Sequence, residues 1–158
     1  MVFQEFSLIG SLTVAQNIYL TREVRNGLGL IDDRKVSEKA SAILKQMGVD
    51  IDPNIWVEEL STGYRQLTEI ASALSQDASV LILDEPTEGI QPNIVQDITQ
   101  VIRRLNQEWG LTVLVVEQKL HLIKTLADHF VLLDRGACVA RGQNHELTPE
   151  LIQNYLSV

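Results

Sequence analysis

Six residues, Val80-Leu81-Ile82-Leu83-Asp84-Glu85, constrain the fold more than any other stretch of this 158-residue chain. Four consecutive apolar residues, bounded by Ser79 and by two acids, read as a strand of a parallel sheet covered on both faces. The strand then stops in adjacent carboxylates. On the plainest reading these are two solvated acids at a strand end.

The flanking segments supply the alternation that such a strand requires. Upstream, Thr13 to Leu20 and Asp33 to Met47 read as helices. In the second, Val36, Ala40, Ile43, Leu44 and Met47 recur at helical spacing and Gly48 provides a stop. Asn26-Gly27-Leu28-Gly29 between them is a loop signal. A third helix starts at Ser61, whose hydroxyl can cap free backbone N–H groups, and carries Leu67, Ile70, Ala71 and Leu74 inward; it ends before Ser79. Downstream, Pro92 suits the first turn of a helix bearing Ile94, Val95, Ile98, Val101, Ile102 and Leu105, with Gly110 beyond its end. Thr112 to Val116 is a second buried strand, followed by a short helix through Leu126. Phe130 to Leu133 and Ala137 to Ala140 flank Asp134-Arg135-Gly136, a hairpin signal, and Thr148-Pro149-Glu150 opens a last helix. The sequence is therefore of the α/β class.

Composition narrows the function classes. With 45% hydrophobic and 22% charged residues the chain suits one globular unit, and a formal net charge of −8 argues against a nucleic-acid partner. No apolar run approaches the roughly 20 residues of a membrane helix. No signal sequence opens the chain, and the single Cys138 cannot form an internal disulfide, so a cytoplasmic location is expected. Cys138 itself reads as a small strand residue. There is no internal repeat and no low-complexity linker.

Leu60-Ser61-Thr62-Gly63-Tyr64-Arg65-Gln66 resembles the signature motif of ATP-binding cassette proteins. Alone it is a common way to begin a helix. Val80, however, follows Ser61 by 19 residues, and Val80-Leu81-Ile82-Leu83-Asp84-Glu85 resembles the Walker B strand with its adjacent catalytic acid. Pro86-Thr87 follows. Val2-Phe3-Gln4-Glu5-Phe6 and Leu12-Thr13-Val14-Ala15-Gln16-Asn17-Ile18 look like the Q-loop and the start of the helical subdomain of transporter cassettes. The resemblance covers nearly the whole chain. It implies a partial P-loop NTPase-type sheet with a helical signature subdomain and a carboxy-terminal β-hairpin. Residues 1–78 would form the Q-loop and helical subdomain, and 79–158 the Walker B, D-loop and switch part of a RecA-like core.

The resemblance also assigns roles. Ser61, Thr62, Gly63, Tyr64 and Gln66 would face a nucleotide, because a hydroxyl, a glycine and free N–H groups at a positive helix end suit a triphosphate. Asp84 would hold Mg2+ through water, Glu85 would orient the water that attacks the γ-phosphate, and Gln4 would contact the metal or that water. Gln118, in Val116-Glu117-Gln118-Lys119, stands where the family usually has its switch histidine; His121 is expected on a helix and His129 at a strand edge. A glutamine amide would be a weaker, pH-insensitive donor. The D-loop, Glu88-Gly89-Ile90-Gln91-Pro92, lacks the usual Asp. ATP and Mg2+ are the implied cofactors; a second cassette and a transmembrane permease are the implied partners.

No glycine here is followed by lysine, so the G-x-x-x-x-G-K-[ST] phosphate loop is absent from these residues. Two functions follow. The first is the ATP-hydrolysing subunit of an importer, supplying signature and Walker B to a head-to-tail dimer at the inner face of the membrane. The second is a non-catalytic, amino-terminally truncated piece that acts only as a folding or interaction module. On the sequence alone the isolated chain is expected to be inactive and to associate into a dimer or larger. Phe3-Gln4-Glu5-Phe6-Ser7-Leu8-Ile9 and Glu69-Ile70-Ala71 look like carbohydrate importers. From Glu88 onward the chain looks like branched-chain amino acid and urea importers, which suggests a mosaic with a junction near Asp84 to Thr87. A chromosome-structuring ATPase is disfavoured, because no sustained heptads lie between Gln4 and Ser61.

Overall fold

The computed structural model describes residues 7–22, 24–27 and 29–156, with the backbone alone for 154–156. The chain forms two compact units, Met1–Val116 and Glu117–Val158.

The first unit opens with α1, Val14–Ile18, closed at its start by a capping box. Thr13 Oγ1 accepts the Gln16 N–H at 3.2 Å, and Gln16 Oε1 accepts the Thr13 N–H at 3.0 Å. The helix expected to reach Leu20 stops at Ile18. The Asn17 carbonyl accepts from the Leu20 N–H at 3.4 Å and the Ser72 hydroxyl at 3.5 Å, and the Ile18 carbonyl accepts from the Ser75 hydroxyl at 2.9 Å, a side chain in place of the N–H of a further turn. α2, Asp33–Met47, begins at Asp32, whose carboxylate accepts the Lys35 N–H, and ends at Gly48 with φ 74°. Its inward stripe is Val36, Ala40, Leu44 and Met47.

α3, Thr62–Leu74, is buried on nearly every side: Gln66 through Ala71 are consecutive buried residues. It packs against α1, α2 and α4, which accounts for burial that a single apolar stripe does not encode. One expectation fails at its start. Ser61 occupies the N-cap position, yet its hydroxyl caps no N–H group.

β1, Val80–Asp84, and β2, Thr112–Val116, pair in parallel from Val80 opposite Thr112 to Asp84 opposite Val116. α4, Pro92–Gln107, connects them with Ile94, Ile98, Val101, Ile102 and Leu105 inward, and packs on β2. The expectation of strands covered on both faces is corrected. Leu81 and Leu83 are buried, whereas Val80, Leu114 and Val116 are 52, 54 and 50% exposed. A continuous apolar run shows that both faces can be buried; in this structure only one of them is.

In the second unit α5, Leu120–Leu126, precedes an antiparallel hairpin of β3, His129–Asp134, and β4, Ala137–Gln143, with an irregularity between Leu132 and Leu133. Arg135 and Gly136 take φ values of 49° and 79°, the double left-handed pair that suits a tight hairpin turn. α6, Pro149–Leu156, ends the unit. His121 lies on α5 and His129 begins β3, as expected. Among the described residues no helix is long and apolar enough to cross a membrane.

Candidate functional site

The start of α3 is held from behind. Arg65 donates from Nε to the Val57 carbonyl at 3.2 Å and from Nη2 to the Glu58 carbonyl at 2.9 Å, fixing the short 3-10 turn Val57–Glu59 that leads to Ser61. Ser61 and Thr62 are exposed, Tyr64 is half-buried, and Gly63 is buried. A β-carbon on Gly63 would lie 2.4 Å from Ile94 Cγ2 and 3.1 Å from Ile90 Cγ2. The missing side chain therefore lets α3 press onto the first turn of α4 and the loop before it. That loop descends directly from the two acids at the end of β1.

Asp84 closes β1 half-buried. Glu85 follows with φ 43°, a left-handed conformation unusual for a side-chain-bearing residue, and its N–H donates to the Val116 carbonyl at 2.9 Å. Pairing with β2 thus continues one residue past β1, while the backbone turns away at that point. Pro86 and Thr87 are buried, and the Glu88 N–H returns to the Glu85 carbonyl at 3.1 Å. Glycine 89, with φ 66°, completes the turn. The structure consequently joins the exposed Ser61-Thr62 helix end, through Gly63 and Ile94, to the turn that carries Asp84 and Glu85.

Gln66 is 5% exposed, and among the described residues its buried Nε2 has no hydrogen-bond partner. Gln118 lies in the second unit and is exposed; the Glu117 carboxylate accepts the N–H groups of Gln118 and Lys119 at 3.1 and 3.2 Å. Gln4 lies outside the described residues. Among those described, no three acidic, histidine or cysteine side chains converge on a possible metal position. Asp84 and Glu85 offer the hard oxygen donors that Mg2+ takes.

Sequence reasoning missed two buried polar residues of this unit. Asn17, 4% exposed, binds the Ile9 N–H and the Ile9, Leu12 and Thr13 carbonyls. Glu69, 5% exposed, accepts from the Ser7 N–H and, at 3.0 Å, from the Ser7 hydroxyl. Burial pushes the Glu69 carboxyl above the ordinary glutamate value, and the two Ser7 bonds pull against it.

The chain belongs to the ABC transporter family, whose sequence pattern matches residues 1–88. It is 39% identical over 149 residues to the ribose import ATP-binding protein RbsA 2 of Streptomyces coelicolor, covering 94% of this chain and 28% of that protein. To the ribose import ATP-binding protein RbsA of Caldanaerobacter subterraneus it is 32% identical over 148 residues, covering 94% of this chain and 30% of that one. The chain thus spans less than a third of the length of these relatives. Their likeness extends across both parts of the sequence, so the sugar-import resemblance is not confined to the first. A nucleotide-free ATP-binding cassette from an ABC transporter superposes with a TM-score of 0.77 at 26% identity, covering 99% of this chain and 64% of that one. An inward-facing metal-chelate-type ABC transporter gives a TM-score of 0.81 at 22% identity, covering 98% of this chain and 62% of that one, a likeness of fold alone. The chain is accordingly part of a P-loop NTPase-type α/β fold.

Proposed function

We propose that these residues supply the signature helix, the Mg2+-binding acid and the catalytic glutamate of the ATP-hydrolysing subunit of an ABC importer, acting at the cytoplasmic face of a membrane. The observation that carries this reading is the seating of Gly63 against Ile90 and Ile94, which couples the exposed Ser61-Thr62 helix end to the turn bearing Asp84 and Glu85. The helix end offers N–H groups and hydroxyls to phosphate oxygens held by a second cassette. Asp84 would hold Mg2+ jointly with phosphate and water, and the Glu85 carboxylate would take hydrogen bonds from the attacking water and orient it. Gln118 would meet the γ-phosphate and Gln4 the metal or water. The relatives named for ribose import favour a sugar as the solute.

The test uses the full chain assembled with its permease and a second cassette. Glu85→Gln should lower ATP turnover at least about a hundredfold while leaving ATP binding intact. Ser61→Arg should block closure of the dimer on ATP. Undiminished turnover in the Glu85→Gln protein would sink the assignment.

A further inference from the structure

Glu69 sits in the middle of α3, 5% exposed, and its Oε1 is shared by two donors of a residue 62 positions away, the N–H and hydroxyl of Ser7. A buried carboxylate is costly unless hydrogen-bonded, and an aliphatic side chain would fill this position at less cost. Its presence is accounted for by what it holds. Two residues beyond Ser7, the Ile9 N–H donates to Asn17 Oδ1 at 2.8 Å, and the Ile9 carbonyl accepts from Asn17 Nδ2 at 3.0 Å. Asn17 belongs to α1, which is tied back to α3 through Ser72 and Ser75. The segment from Ser7 to Thr13 is therefore fastened to α3 twice, directly at Glu69 and through α1 at Asn17.

We propose that Glu69 is a positioning residue that makes this segment a rigid extension of α3, so that displacement of the chain at Ser7 is carried along the helix to Ser61-Gly63. The attachment itself is independent of nucleotide chemistry. Its consequence for turnover rests on the proposed function, in which α3 is the signature helix.

The experiment has two arms, both on the full chain. Without nucleotide, amide hydrogen exchange is compared in the unsubstituted, Glu69→Leu and Glu69→Gln proteins. Ser7 is exposed, so protection of its amide reports the bond to Glu69. Glu69→Leu should speed exchange around Ser7 tenfold or more, with α3 still slow and the melting temperature not lowered. Glu69→Gln, which keeps an acceptor, should restore most of the protection. Unchanged exchange at Ser7 in the leucine variant overturns the proposal, and so does loss of protection along α3, which would mark a merely structural role. In the assembled transporter, Glu69→Leu should lower kcat at least threefold with KM for ATP unchanged, and Glu69→Gln should recover it. Ser7→Pro removes both donors from the exposed partner and should reproduce the kcat loss, which keeps the proposal falsifiable if the leucine variant does not fold. Full kcat after Ser7 has lost its protection overturns the relay. Absence of turnover in the unsubstituted assembly defeats the proposed function, while the exchange arm still decides the attachment.

Discussion

Gly63 on α3 and Ile94 on α4 are in such close approach that a β-carbon on the glycine would come within 2.4 Å of Ile94 Cγ2. Gly63 is thus required by packing, whatever binds at the helix end. Gly63→Ala should destabilise the protein by about 1–3 kcal/mol through overpacking. Ile94→Ala alone opens a cavity, but in the double variant the new methyl occupies part of that space. The combined loss should therefore fall short of the sum by about 1 kcal/mol, measured by denaturant unfolding. Strict additivity would contradict the contact.

Asn17 satisfies one N–H and three carbonyls from a buried amide. Asn17→Ala leaves the Ile9 N–H without its acceptor, while the Ile9, Leu12 and Thr13 carbonyls keep the N–H groups of Leu12, Val57 and Asn17; the loss should be about 1–3 kcal/mol, read as a lowered urea midpoint. Asn17→Asp is the more discriminating variant. It keeps the acceptor for Ile9 but sets a carboxylate against three carbonyl oxygens. Its loss should therefore be large at neutral pH and partly reversed under acid, when the protonated group can donate.

The legible parts were those encoded locally. Val36, Ala40, Leu44, Met47 and Gly48 announce α2 and its end, and four apolar residues before Asp84 announce β1. The failures share a physical cause. Where α1 stops, its Ile18 carbonyl is taken by the hydroxyl of Ser75, 57 residues away, and no local pattern contains that contact. An apolar run likewise cannot state what covers it, so the exposure of Val80, Leu114 and Val116 was invisible. At the site, spacing and residue type singled out Ser61, Gly63, Asp84 and Glu85. The burial of Gln66 and the pairing of Glu69 with Ser7 are properties of packing around α3.

Glu69 predicts a pH dependence. Its unfolded-state value is the ordinary 4.5, and burial raises the folded value against the opposing pull of Ser7. Between the two values the native state binds more protons than the unfolded chain, so stability falls as pH rises from about 4.5 through the raised folded value. Glu69→Gln cannot titrate. The difference in unfolding free energy between the two proteins should change across that window and be flat below it; a constant difference throughout would show that the carboxyl is not shifted.

Glu85, the proposed catalytic carboxylate, stands on a backbone with φ 43°, where a β-carbon is unfavourable and glycine is not. Substituting Glu85 by Ala and by Gly removes the carboxylate in both cases, so the two variants lose the same side-chain interactions and differ chiefly in backbone tolerance. Glu85→Gly should be more stable than Glu85→Ala by about 1 kcal/mol, even though glycine costs more conformational entropy on folding at ordinary positions. Neither should support hydrolysis. Equal stability, or a more stable alanine variant, would mean that the left-handed turn at the end of β1 relaxes once the carboxylate is gone, and that the carboxylate's own contacts impose the conformation.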